Sequence, residues 1–189
     1  MLRLLSKVFG KRNQIEEHIN APLQMINLRS LDELFLKYFN ESSYFKDGSC
    51  EMVIKHLKNE IDLNKSGENL TLSEKKALGL NTRLSITSNL VSVLSPEGLQ
   101  LPNPKDALKQ VYYRAKFERI RLEKFLQLLS VGFTEAIYHS CKDERDCAWC
   151  KANDGVKFII SEDLNNKINQ NCTCEWNRGI FSPEVNTRK

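Results

Sequence analysis

The feature that most constrains this chain is the spacing of four of its six cysteines. Cys147 and Cys150 form a C-x2-C pair, and Cys172 and Cys174 form a C-x-C pair. Two thiolates of one tight turn can reach the same ion, and side chains at i and i+2 of an extended segment point to the same side. Four sulfur ligands are the set that zinc takes in closed, tetrahedral structural sites. The spacing therefore predicts a structural zinc site made by these four residues.

Two catalytic interpretations of the cysteines agree less well with the sequence. A zinc deaminase needs a glutamate two residues after its first His or Cys ligand, and none follows His139 or Cys141 in this way. A thioredoxin-type redox pair at Cys147 and Cys150 would leave the distant C-x-C pair without a purpose. His139 and Cys141 are spare candidates for the metal site, and Cys50 fits a small buried position on a helix.

Helical patterns dominate the first two thirds of the chain. Capping boxes at Ser30 with Glu33 and at Thr71 with Glu74 predict two helix starts. The apolar period predicts further helices over residues 50–62 and 88–94. The clearest predicted helix covers residues 103–130, with an asparagine at its cap and a proline at its first position. We expect burial on two sides of it, because it carries one apolar stripe of Leu108, Val111, Tyr112, Ala115, Leu122, Leu126 and Leu129 and a second of Tyr113, Phe117 and Ile120.

The pattern changes after Gly132. The runs TEAIYHS and VKFII are typical of short strands, and EDLNNKINQ is a polar segment that fits a helix. We therefore predict an α+β fold. A mainly helical body over residues 1–130 precedes a small, zinc-stabilised, strand-containing module over residues 131–189.

Charge and the N-terminus bear on location and partners. The net charge is +4, no apolar run approaches the ~20 residues that a membrane span needs, and residues 1–14 do not fit a secretory signal. We expect a cytoplasmic protein, where thiols stay reduced and paired cysteines more often bind metal than form disulfides. Basic helical faces are candidates for contact with nucleic acid, at Arg3, Lys7, Lys11, Arg12, Arg114 and Arg121.

The string DERDCAWCKANDGVKF, residues 143–158, resembles the C-terminal motif of phage Mu F-like proteins, which are minor head or head-morphogenesis proteins. In that family an acidic residue leads to C-x2-C, a D-G turn, a β-run and a C-x-C pair. Asp143, Asp154 and Gly155 hold the corresponding places here, together with the four paired cysteines. The resemblance covers residues 143–176 and departs from the family at 169–171, where NQN replaces a His-Pro-Asn type sequence. It implies a phage or prophage origin and a structural or assembly role.

Three functions follow as hypotheses. The first is a non-enzymatic, zinc-stabilised interaction or assembly protein that docks onto a protein partner. The second is a nucleic-acid-binding component that uses the basic faces. The third is a toxin-like or nuclease-type enzyme that uses the carboxylates near the cysteines, namely Asp143, Glu144, Asp146 and Asp154. We favour the first, because a complete thiolate set leaves zinc no open position for water. We expect no membrane association, and the sequence leaves the oligomeric state open.

Overall fold

A computed structural model describes residues 26–184 of the chain. The fold is α+β, as the sequence predicted, and it divides into two compact units. The helical unit comprises residues 30–116. The cysteine unit comprises, of the described residues, 26–29 and 117–184. The predicted basic helix at the N-terminus lies outside the described residues.

Five helices lie wholly within the helical unit, and both capping boxes are confirmed. The backbone N–H of Glu33 donates to Ser30 Oγ at 3.2 Å, while Ser30 N–H donates to the Glu33 carboxylate at 2.6 Å. Thr71 and Glu74 make the same reciprocal pair. Such pairs satisfy backbone N–H groups that have no partner inside the helix. The helices are α1 (Leu31–Asn40), α2 (Cys50–Leu57), α3 (Leu72–Ala77), α4 (Ser88–Val93) and α5 (Pro96–Leu99).

Helix α2 is shorter than predicted. It ends at Leu57 because Asn59 adopts a left-handed conformation, with φ of 62°. Glu60 N–H then donates back to the carbonyl of Lys55 at 2.9 Å, which closes the last turn. The apolar residues of this helix and of α1 nevertheless face the core as the period predicted, with Leu34 and Val53 fully buried.

Helix α6 (Asp106–Ser130) is the longest of the described helices, at 25 residues. It begins later than predicted, because Asn103 caps a tight turn in which Asp106 N–H donates to its carbonyl at 2.9 Å. The first apolar stripe is buried at most positions. The second was expected to be buried and is not, since Tyr113 is 37% exposed and Ile120 is 47% exposed. The two-sided burial predicted for this helix is therefore wrong.

The cysteine unit contains a three-stranded antiparallel sheet in the order β2–β1–β3. Both strands predicted from TEAIYHS and VKFII are present, as is the helix predicted from EDLNNKINQ. The third strand was not predicted. The sheet register pairs Ile137 of the central strand with Lys157 on one side and Ser182 on the other. The elements are β1 (Glu135–His139), α7 (Ala148–Asn153), β2 (Lys157–Ile159), α8 (Glu162–Asn171) and β3 (Ile180–Ser182).

The second half of α6 supplies much of the core of this unit. Leu122 and Phe125 are fully buried, and the Phe125 ring packs edge-on against Phe181 of β3 with centroids 4.9 Å apart. Tyr138 of β1 joins the same cluster, tilted against Phe181 at 5.2 Å. The compact units consequently divide between residues 116 and 117, within the helix, whereas the sequence placed the boundary at its end, between residues 130 and 131.

Candidate metal centre

Helix α7 positions the first cysteine pair. Cys147 is the cap residue of α7, with extended backbone angles, and Cys150 lies one turn further along. Side chains three residues apart share one face of a helix, so both sulfurs point to the same side. The end of α8 positions the second pair, since Cys172 caps that helix in an extended conformation and Cys174 follows two residues later. The fold therefore brings together the four residues that the spacing predicted.

The four sulfurs cluster at distances that allow them to bind one metal ion. All of them lie within 4.8 Å of one another. The Sγ atom of Cys172 is 3.9 Å from that of Cys147 and 3.6 Å from that of Cys150, and the Cys150 and Cys174 sulfurs are 3.7 Å apart. Metal–sulfur bonds of about 2.3 Å in a regular tetrahedron would separate the sulfurs by about 3.8 Å. Three of the six sulfur pairs thus have the separation of such a site, and the four sulfurs lie close enough together to share one ion.

Several N–H and O–H groups point at these sulfurs. The backbone N–H of Cys147 donates to Cys174 Sγ at 3.2 Å, and the Tyr138 hydroxyl donates to Cys150 Sγ at the same distance. The side-chain amide of Asn177 is 3.4 Å from both Cys150 and Cys172. Donors of this kind stabilise thiolates and orient metal ligands. The sequence analysis missed Tyr138 and Asn177, and only the position of Asn177 just after the second pair offered a signal.

Burial and hydrogen bonding shift the pKa values of the cysteine thiols in different directions. Burial raises the pKa of Cys147, but backbone N–H groups of Cys150 and Thr173 outweigh it and lower the value to about 6. Burial raises the pKa of Cys150 and takes that of Cys174 to about 11. Burial also raises the pKa of the Tyr138 hydroxyl, so this group remains a donor. Cys150 and Cys174 therefore stay protonated at neutral pH unless a cation displaces their protons.

The carboxylates of the neighbouring loop hold that loop together. Arg178 binds Asp143 through two hydrogen bonds, of 2.7 and 2.6 Å, and these hold the pKa of the Asp143 carboxyl well below its usual range. Asp146 is buried and accepts from the backbone N–H of Lys142 at 2.7 Å. Asp154 accepts from the N–H of Ser140 at 3.0 Å. Three of the four carboxylates considered for an enzyme thus satisfy local partners.

The spare candidates lie outside the four-sulfur cluster. Of the described residues, only the four paired cysteines form a group of three or more His, Cys, Asp or Glu ligands at metal-binding distances. The Cys141 thiol is exposed and donates weakly to the carbonyl of Arg178 at 3.6 Å. His139 shares a hydrogen bond of 2.8 Å with Ser182 of the neighbouring strand.

The candidate nucleic-acid contacts divide into three groups. Arg3, Lys7, Lys11 and Arg12 lie outside the described residues. Arg114 is half-buried, and its guanidinium lies 5.8 Å from the centre of the Tyr38 ring. For Arg121 the expectation of a solvated basic face is wrong.

Arg121 is only 4% exposed. It donates to Asn165 Oδ1 through Nε and Nη2, and to Asn169 Oδ1 through Nη2 at 2.6 Å. Asn165 in turn donates to the buried carboxylate of Glu118 at 3.0 Å. Polar residues of α8 draw this arginine inward, because a buried charge needs hydrogen-bond partners. It belongs to the interior of the cysteine unit.

Comparison with protein-family models, with curated proteins and with solved structures finds no match. Among the described helices, none combines the length and apolar character that crossing a membrane requires.

Proposed function

We propose that Cys147, Cys150, Cys172 and Cys174 bind one structural Zn²⁺ ion, and that the protein is a non-enzymatic interaction or assembly component. The observation that most supports the metal site is the closeness of the four sulfurs. All lie within 4.8 Å of one another, and three pairs are 3.6 to 3.9 Å apart, against about 3.8 Å in a tetrahedral zinc–tetrathiolate. Four thiolates complete the coordination of zinc and leave no position for a substrate or a water molecule.

The cysteine unit benefits from such an ion because its regular structure is short. Its strands have three to five residues, and α7 has only six. The loop 172–179 and the loop 140–147 would be joined through the metal, in addition to the ion pair of Arg178 with Asp143. Metal binding in small modules contributes directly to folding free energy. A cytoplasmic location agrees with this role, because thiols stay reduced there.

A cleft beside the four sulfurs offers a surface for a protein partner. An open cleft of about 300 Å³ adjoins the centre, with Cys147 and Cys174 on its wall. Trp176 and the exposed Arg145 also line it. Aromatic and arginine side chains are enriched at protein–protein contacts, so this cleft is where we place a protein partner. The phage or prophage origin implied by the Mu F-like resemblance is a further part of the proposal and rests on the sequence motif alone.

The metal is tested by elemental analysis of protein purified under reducing conditions without chelator. We expect about one zinc per chain, the content of a single tetrathiolate site. Replacement of zinc by Co²⁺ should give the visible absorption of a tetrahedral sulfur site. Strong visible colour in the protein as purified would indicate iron instead, the other ion that takes four sulfurs in this geometry.

Matched variants separate the centre from the other thiols. Cys150→Ser should lose most of the bound zinc, while Cys141→Ser, at an exposed cysteine outside the cluster, should keep it. Equal zinc content in the two variants would overturn the assignment. If a Cys150 variant remains folded but loses a reaction that the wild-type protein catalyses, the non-enzymatic role is wrong.

A further inference from the structure

A second cleft lies in the helical unit, between the end of α2 and the first turns of α6. It has a volume of about 130 Å³. No carboxylate lines it, whereas two lysines do. Pockets that bind small ligands combine apolar walls with a few convergent polar groups, and this one has that composition. Its lining residues are His56, Leu57, Asn59, Asn64, Lys105, Leu108, Lys109, Tyr112 and Tyr113.

Three donors on the wall of this cleft have no partner among the described residues. His56 accepts a hydrogen bond on Nδ1 from the backbone N–H of Leu63 at 3.2 Å, so the ring proton of the neutral imidazole lies on Nε2. That Nε2–H, the half-buried Lys105 ammonium and the Tyr112 hydroxyl make no hydrogen bond within the described structure. These three donors are open to solvent, so acceptor oxygens of a ligand can replace the water around them.

The Asn64 side chain also lines the cleft. Asn64 Oδ1 is buried and has no hydrogen-bond partner. The charge on the wall is nevertheless positive, because Lys109 is bound to Asp106 at 2.8 Å while Lys105 has no carboxylate partner. The cleft therefore offers one uncompensated cation and two neutral donors to an anion, whereas Asn64 Oδ1 is shielded from it.

We propose that this cleft binds the phosphoryl group of a phosphate ester. A phosphoryl group is tetrahedral and can present three oxygens to donors on separate segments, here His56 on α2, Tyr112 on α6 and Lys105 just before α6. A carboxylate carries a smaller charge and holds its acceptor sites in one plane, so it matches donors on separate segments less well. The small volume admits the headgroup and leaves the rest of the ligand outside. This site does not depend on the metal centre.

The test uses the full-length protein loaded with zinc and follows backbone amide shifts by NMR. The probes are glycerol phosphate, acetate, and a short single-stranded DNA with or without a 5′-phosphate. We expect saturable shifts with glycerol phosphate at residues 56–64 and 105–113, at about millimolar affinity or tighter. Lys105→Glu should weaken binding about tenfold to a hundredfold, the range for a lost charge-assisted hydrogen bond.

Lys76→Glu is the matched control, because it changes the same charge at an exposed lysine of the same unit. It should change the affinity less than about twofold. Lys105→Gln removes the positive charge and Tyr112→Phe removes the hydroxyl donor, neither with a new charge, and each should weaken binding in protein with an unchanged melting curve.

Four results would overturn the proposal. They are shifts that do not saturate, an equal loss in Lys76→Glu, acetate binding as tight as that of glycerol phosphate, and unchanged affinity in both Lys105 variants. The two oligonucleotides, with and without a 5′-phosphate, distinguish the possible sources of the phosphoryl group. If only the oligonucleotide with a 5′-phosphate binds, the cleft recognises a terminal phosphate ester. If both oligonucleotides bind equally, the cleft contacts the nucleic-acid backbone and the proposal is wrong.

Discussion

Replacement of Leu122 by alanine tests whether the second half of α6 belongs to the cysteine unit. The Leu122 side chain is fully buried in the cluster that also contains Phe125, Ile168 and Phe181. The substitution removes about three methylene equivalents at ~0.8 kcal/mol each, or ~2.4 kcal/mol of transfer free energy. The cavity that remains adds to this, so we expect a loss of roughly 3 to 4 kcal/mol in the free energy of unfolding.

The control is Ile120→Ala on the same helix. Ile120 is 47% exposed, so the truncation removes far less buried surface, and alanine favours the helix slightly more than isoleucine does. We expect this variant to lose less than about 1 kcal/mol. Urea unfolding followed by circular dichroism measures both values.

Hydrogen exchange on the Leu122→Ala protein then locates the change. Faster exchange should concentrate in residues 117–184, and residues 30–116 should keep most of their protection. If Leu122→Ala unfolds at the same urea concentration as Ile120→Ala, the packing described for α6 is wrong. If the helical unit loses as much protection as the cysteine unit, the division between residues 116 and 117 does not describe independent cooperative units.

Three shorter predictions concern the metal centre and its surroundings. Cys150→Ser should raise hydrogen exchange across residues 117–184 and leave the helical unit largely protected, and uniform loss across the chain would contradict this. Asp143→Asn should destabilise the protein at neutral pH. Arg178 depresses the pKa of Asp143 in the folded protein. The difference in unfolding free energy between wild type and variant is therefore full above the unfolded pKa of about 3.9 and is lost as the pH falls through the folded pKa. Urea unfolding at a series of pH values measures this difference. Gly179→Ala should lower stability by about 1 to 3 kcal/mol in thermal unfolding, because its new methyl group would lie 2.2 Å from the hydroxyl oxygen of buried Tyr138; an unchanged melting temperature would refute that close approach.

Local patterns in the sequence determined much of this protein. The capping boxes at Ser30 and Thr71, the strand runs around Tyr138 and Phe158, and the spacing within each cysteine pair all depend on residues within a few positions of one another. Spacing of that kind sets which side chains share a turn or a face, whatever the rest of the chain does. The α+β class followed from these patterns.

Tertiary structure alone decided the features that join distant segments. Arg121 is buried because Asn165 and Asn169 of α8 accept its hydrogen bonds, whereas the pattern of its own helix predicts a solvated basic face. The hydroxyl of Tyr138 donates a hydrogen bond to Cys150, which lies 12 positions further along the chain. The first part of α6 belongs to the helical unit and the rest to the cysteine unit. The physical reason is that a helical period gives the direction of a side chain but not its environment. Burial and hydrogen-bond partners are set only when other elements pack against it.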